Sequence, residues 1–182
     1  MKSEIEIRRM TVADLDRVLA ISNRLPQAPH WPQSAWLNAI NSQFEPKSSP
    51  HRIALVAADS QLGTILGFAV ASIVPPQAEL ETMAVVPERQ RLGLGERIFQ
   101  ALAAELGAAG VREFVLEVRA SNLPALAFYQ ALGFVKNGLR PGYYTEPIED
   151  AILMRLPLAQ SCEDSKRAAL GAPHPSRFRS RG

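Results

Sequence analysis

Cysteine is nearly missing from this sequence: Cys162 stands alone among 182 residues, which excludes an intrachain disulfide and any multi-cysteine metal site. Histidine is scarce too. His30, His51 and His174 lack ligand spacing, so no metal site is expected. No stretch approaches the roughly 18 apolar residues of a membrane-spanning helix. The N-terminus, Met1-Lys2-Ser3-Glu4-Ile5-Glu6-Ile7, alternates charged and aliphatic residues and so does not read as a signal peptide. A large excess of one charge is lacking as well, with 20 Lys and Arg against 18 Asp and Glu, net +2. These absences leave a soluble, cytoplasmic globular protein as the expectation. At 47% hydrophobic residues the chain can build a sizeable core, and its length fits one domain with a short appendage.

The charge is unevenly placed. From Gln160 to Gly182 the basic residues Lys166, Arg167, Arg177, Arg179 and Arg181 face only Glu163 and Asp164, leaving +3, so residues 1–159 carry −1 of the total +2. That segment also holds Gly171, Pro173 and Pro175. Residues 159–182 therefore read as a basic, disordered tail, either solvated without a role or in weak electrostatic contact with RNA.

Before the tail, the pattern alternates between the two regular periods. Ile5, Ile7 and Met10 suggest a strand. Thr11 stands three residues before Asp14 as a variant capping box, ahead of Leu15, Val18, Leu19 and Ile21 at helical spacing. A proline-rich loop, Leu25 to Pro32, leads to a short helix with Trp36, Leu37 and Ile40. Arg52–Ala58 and Thr64–Val74 read as a hairpin, and Ala78–Val86 as a strand stopped by Pro87. Leu94, Ile98, Leu102 and Leu106 share one helix face, with Gly107 and Gly110 ending the helix. Val111–Arg119 is strand again. Ser121 or Asn122 caps a helix that accepts Pro124 in its first turn and stops at Gly133. Phe134-Val135 and Ala151–Leu156 complete the strands. The order β-α-α-β-β-β-α-β-α-β-β predicts an α/β mixture around one sheet.

Between a strand and a helix lies Gln90-Arg91-Leu92-Gly93-Leu94-Gly95, flanked by Arg89. Glycines there allow backbone N–H groups to approach a ligand, and the helix N-terminus favours an anion. A Walker loop would need Gly-Lys-Ser/Thr where Gly95-Glu96-Arg97 stands, and a dinucleotide fingerprint would need glycine at Ile98. Gln/Arg-x-x-Gly-x-Gly/Ala, placed after Leu80-Glu81-Thr82-Met83-Ala84-Val85-Val86-Pro87, resembles the pyrophosphate loop of the GNAT acetyltransferases. On the strand that follows, Phe114, Leu116 and Val118 share one face, while Glu113, Val115, Glu117 and Arg119 share the other. A polar face on a strand between helices means solvent, with Glu117 and Arg119 as a surface pair, or a site.

Leu116-Glu117-Val118-Arg119-Ala120-Ser121-Asn122, Ala127-Phe128-Tyr129 and Leu132-Gly133-Phe134 are similar to the bacterial ribosomal-protein alanine N-acetyltransferases, the RimI family. Tyr143-Tyr144 and Glu149-Asp150-Ala151-Ile152-Leu153-Met154 resemble that family's final strands, and His30-Trp31-Pro32 its substrate loop with altered residue order. The resemblance covers about residues 4 to 158. It implies a GNAT domain over 1–158, with a mixed, mostly antiparallel sheet flanked by helices on both faces, and acetyl-CoA as cosubstrate. It further implies Glu117 as general base and Tyr129 as general acid. The cofactor would meet main chain at Met83, Ala84 and Val85, the loop Gln90, Arg91, Leu92, Gly93, Leu94 and Gly95, and the side chains of Asn122 and Tyr129. Glu79 and Glu81 are rival bases or solvent-facing strand residues, and Asn122 is equally explained as a helix cap. Trp31, Glu81, Tyr143 and Tyr144 would meet the acceptor, although both tyrosines are equally read as packing residues. The acceptor implied is a protein or peptide N-terminus, such as a ribosomal protein beginning with alanine. A small-molecule or lysine amine, or a non-catalytic acyl-CoA-binding module, are the other readings.

Overall fold

The computed structural model describes residues 4–25, 31–43 and 51–158. Within them run β1 (Ile5–Arg9), α1 (Leu15–Asn23), α2 (Gln33–Ser42), β2 (His51–Asp59), β3 (Ile65–Val74), β4 (Gln77–Val85), α3 (Leu94–Ala108), β5 (Glu113–Arg119), α4 (Leu123–Ala131), β6 (Val135–Thr145) and β7 (Ile148–Pro157). The element order is the one the sequence periods predict. The basic segment 159–182 with Cys162 and His174, and His30 in the proline-rich loop, lie outside the described residues.

Seven strands form one sheet in the order β1-β2-β3-β4-β5-β7-β6. Every pairing is antiparallel except β4 with β5. Phe68 and Gly67 are consecutive on β3, so they face opposite sides of the sheet. Phe68 meets Trp36 of α2 edge-on, with ring centroids 5.2 Å apart. A Cβ at Gly67 would lie 2.9 Å from Ile98 Cδ1 of α3. Helices therefore cover both faces, here called the α2 face and the α3 face. On the α3 face Phe99 stacks on Phe114 at 5.6 Å, and Phe134 and Tyr129 continue the cluster toward α4.

The start of α1 is pinned by charge. The Asp14 carboxylate accepts two bonds from Arg8, both 2.8 Å, and two from the Thr11 N–H and hydroxyl, both 2.9 Å. Arg8 first, then the Thr11 bonds, hold the Asp14 carboxyl below its ordinary range against the opposing cost of burial.

Two expectations are corrected. Gly107 lies inside α3, which runs to Ala108, and the left-handed turn residue is Gly110 at φ 80°. The strand expected at Phe134-Val135 is longer than that pair, running as β6 from Val135 to Thr145 and taking in Tyr143-Tyr144, which the resemblance places in the final strands. Pairing with β7 imposes the extended backbone where Gly138, Pro141 and Gly142 break any alternating pattern. The register slips at Lys136/Gly138 and again at Arg140/Tyr144.

Candidate active site

β4 and β5 are neighbours only from Gln77/Glu113 to Leu80/Leu116. The cause of their parting lies in β4. Val70 pairs with Thr82 but Ala71 with Leu80, so β4 carries one surplus residue, Glu81. Such a bulge bends a strand and re-aims its side chains. Before the bulge, Ala78 and Leu80 point to the α3 face with Phe114 and Leu116. After it, Thr82 and Ala84 point to the α2 face with Val70 and Phe68. A cleft of about 990 Å³ opens where the strands part.

The side toward α3 is built from main chain. The Val86 N–H donates to the Leu66 carbonyl at 2.9 Å. By the alternation of an antiparallel ladder, the N–H and C=O groups of Met83 and Val85 then turn away from β3 and toward the gap. Gln90 Nε2 donates to the Val85 carbonyl at 3.0 Å and ties the glycine turn to this strand. Arg91 at φ 57° and Gly93 at φ 80° take the left-handed conformations that swing the chain into α3. At Gly95 a Cβ would lie 3.3 Å from Phe128 Cζ and 3.5 Å from Met83 Cε, so a side chain larger than a methyl would have to displace them. Free N–H groups of the first turn of α3, with the helix dipole behind them, favour an anion at this end of the cleft. Asn122 caps α4, its Oδ1 accepting from the Ala125 N–H at 3.3 Å. Tyr129 lies on the same side. Burial first, then the neighbouring Tyr144, raises its pKa above the ordinary phenol value, so its hydroxyl stays protonated at neutral pH.

The side toward α2 is built from charged and aromatic side chains. Glu117 shares this face with Glu79, since Glu79 pairs with Val115. Arg140 Nη1 lies 2.7 Å from Glu117 Oε1. It reaches β5 from β6 across the intervening β7, where Ala151, aligned with both Arg140 and Arg119, offers little side chain to obstruct it. A hydrogen bond to Glu117, then burial, raises the Tyr143 pKa. Glu81 is held bidentately by Arg52 of β2 at 2.7 and 2.9 Å. Glu79 has its carboxyl lifted above the usual range by the protein around it, then by the charges of Glu117 and Glu81. The Glu117–Arg119 surface pair, one of the two readings of this strand face, does not form. Arg119 instead bridges to Glu149 at 3.3 Å and lies 4.0 Å over the Tyr144 ring. Glu149 also accepts from the Ser121 N–H, fixing the turn into Asn122; that bond first, then Arg119, lowers its pKa. Trp31 packs on Trp36 with centroids 4.9 Å apart and lines the cleft with Leu25.

The cleft thus gathers Met83, Ala84, Val85, Gln90, Arg91, Gly93, Gly95, Asn122 and Tyr129 with Trp31, Glu81, Glu117, Tyr143 and Tyr144. Two expected members are not in its wall. Leu94 is buried in the core, and Leu92 points outward at 69% exposure. Ala84 and Val85 are also buried, so they offer main chain only. Arg140, Arg52 and the Phe128 ring against Gly95 were not anticipated. Each meets the site from a strand or helix distant in sequence, and the only advance signal was a polar strand face in need of counter-charges. Among the described residues no group of His, Cys, Asp or Glu could hold a metal ion, and no helix is long and apolar enough to cross a membrane.

A mixed sheet split between two parallel neighbours, with main chain open along one and a glycine turn at a helix N-terminus, defines an acyl-CoA-dependent transferase of the GNAT fold. The model of the acetyltransferase (GNAT) family matches residues 15–134, and the chain belongs to that family as an acetyl-CoA-dependent N-acetyltransferase. Over 102 residues it is 43% identical to the "[Ribosomal protein bS18]-alanine N-acetyltransferase" of Escherichia coli K12, covering 55% of this chain and 69% of that protein. It is 33% identical over 156 residues to the "N-alpha-acetyltransferase RimI" of Mycobacterium tuberculosis, covering 83% and 91%. The crystal structure of the ribosomal-protein-S18-alanine N-acetyltransferase from Escherichia coli superposes with a TM-score of 0.70 at 31% identity, over 87% of this chain and 96% of that one. The site fits acetyl-CoA. The open edge of β4 suits an amide-rich pantetheine arm, and at Gly95 a Cβ would already press on the Phe128 ring at 3.3 Å. The α3 N-terminus suits a pyrophosphate.

Proposed function

We propose that this chain transfers the acetyl group of acetyl-CoA to the N-terminal α-amine of a protein, by direct attack within a ternary complex. The observation that carries the reading is the split itself, with a carboxylate, Glu117, on one face of the sheet and a phenol, Tyr129, on the other. A free α-amine has a pKa of about 7.7–8.0, against about 10.4 for lysine, so near neutral pH a carboxylate has little work to do in freeing it. Glu117 takes the amine proton directly or through one water while the nitrogen attacks the thioester carbonyl. The C–N bond forms, the C–S bond breaks, and the departing thiolate receives the proton of Tyr129, which solvent then restores. Main-chain N–H groups of Met83 and Val85 hold the pantetheine and polarise the carbonyl. The loop Gln90–Gly95 takes the pyrophosphate, and Asn122 the pantetheine arm. Trp31, Glu81, Tyr143 and Tyr144 flank the acceptor peptide. The relatives' names support a protein N-terminus as acceptor, and a ribosomal protein beginning with alanine is the candidate. We place catalysis in residues 1–158 and give 159–182 no part in it, as a solvated segment without a role or one in weak electrostatic contact with RNA.

Acetyl-CoA turnover against peptides with different first residues tests this. Peptides starting with Ala or Ser are expected to react, with kcat falling at least about tenfold in Glu117→Gln and in Tyr129→Phe. Normal turnover in both variants would remove these residues from the chemistry, and silence on every peptide would remove the acceptor class.

A further inference from the structure

We infer that Arg140 is a specificity-determining residue: its ion pair with Glu117 is a two-pronged receptor for an α-amine that carries a carbonyl beside it. This rests on the N-terminal acceptor proposed above. Three observations meet at Arg140. Its guanidinium holds the base at 2.7 Å, yet 55% of its side chain is exposed, whereas Glu117 is only 15% exposed. It is therefore the movable partner at the rim. It stands 5.5 Å over the Tyr143 ring, beside the residue whose hydroxyl also bonds Glu117. It pairs with Ala151 as the last residue in register before β6 slips against β7, so the ladder fixes its backbone and only the chain between it and Tyr144 leaves regular pairing.

An arriving acceptor is largely an ammonium at neutral pH and must displace whatever occupies Glu117 before surrendering a proton to it. Water can hydrate the released guanidinium at the rim, but an acceptor that puts a carbonyl there in place of Glu117 gains a charge-assisted hydrogen bond. A peptide N-terminus supplies that carbonyl. Its ammonium nitrogen and first carbonyl oxygen are three bonds apart, about 3 Å, close to the spacing of the ion pair. The peptide can thus slot between the two groups, ammonium on Glu117 and carbonyl on Arg140, satisfying both. A lysine ε-amine has no carbonyl within reach, so it breaks the pair, leaves Arg140 to water and gains no bond from it. The remaining charges facing Glu117 do not substitute. Arg52 is engaged by Glu81, Arg119 by Glu149 and Tyr144, and Glu79 is a like charge.

The test compares an Ala-starting peptide with its analogue whose first peptide unit is a fluoroalkene isostere, which removes the accepting carbonyl without adding a second basic nitrogen, in the full chain and in Arg140→Met. In the unaltered enzyme the carbonyl is expected to be worth about tenfold or more in kcat/KM, the size of a charge-assisted hydrogen bond. In Arg140→Met that discrimination vanishes and peptide KM rises, while KM for acetyl-CoA, bound on the other face, stays unchanged and reports an intact fold. Arg140→Lys restores part of the discrimination. Arg140→Met still discriminating, or the unaltered enzyme never doing so, overturns the inference while peptide acetylation stands. Failure of the unaltered enzyme on all peptides instead overturns the N-terminal reading itself.

Discussion

The two sides of the cleft are made of different material. Toward α3 the ligand meets main chain: the open edge of β4, the left-handed turn at Arg91 and Gly93, and the first turn of α3. Toward α2 it meets side chains drawn from four strands, Arg52, Glu81, Glu117 and Arg140. Main-chain groups are indifferent to residue identity but demand exact backbone shape, so that side suits a cosubstrate that never changes. Paired charges are sensitive to single substitutions, so that side can be retuned for an acceptor without disturbing the cofactor.

The contrast is most exposed at Gly95. Gly95→Val adds bulk where Phe128 and Met83 already sit at 3.3–3.5 Å, and acetyl-CoA affinity should fall at least about tenfold by calorimetry. Unchanged affinity would mean that side is not shaped by backbone approach. A smaller loss is expected for Gly93→Ala, which meets open space but must hold φ 80°. It should cost about 1–2 kcal/mol, seen as a thermal midpoint a few degrees lower. A change in acceptor KM with normal thermal stability would put Gly93 on the wrong side of the comparison.

The smallest effect belongs to Glu79. Its carboxyl titrates above the ordinary range in the folded protein, so the fold favours its protonated form. That contribution to stability is complete below the unfolded pKa and is lost as pH rises through the folded one. Glu79→Gln should therefore raise thermal stability slightly at pH 7 and leave it unchanged near pH 3. Equal shifts at both pH values would show that charge crowding with Glu117 and Glu81 is not the cause.

The same division explains what the residues revealed in advance. The turn Gln90–Gly95, the one-face helix Leu94–Leu106 and the alternation of β5 are local patterns, each set by neighbours a few positions away. The Asn122 cap and Gly133 stop were legible for the same reason. Arg140 was not. Its role depends on a strand order in which β7 lies between β5 and β6, on a small residue at Ala151, and on two register slips. The Glu117–Arg119 pairing suggested by proximity in sequence gave way to partners 23 and 30 positions distant because sheet neighbours outcompete residues two apart on one strand.

The surplus residue at Glu81 makes the strand a matter of parity. Side chains along a strand alternate, so one residue deleted there would return β4 to even count with β3. Every position on one side of the deletion would exchange faces. Leu80 would leave the α3 core, or Met83 and Val85 would offer their N–H groups to β3 in place of the gap. Substituting Glu81 changes a charge; removing it would erase the opening. A deletion is thus more damaging in this segment than the loss of the Glu81 charge alone.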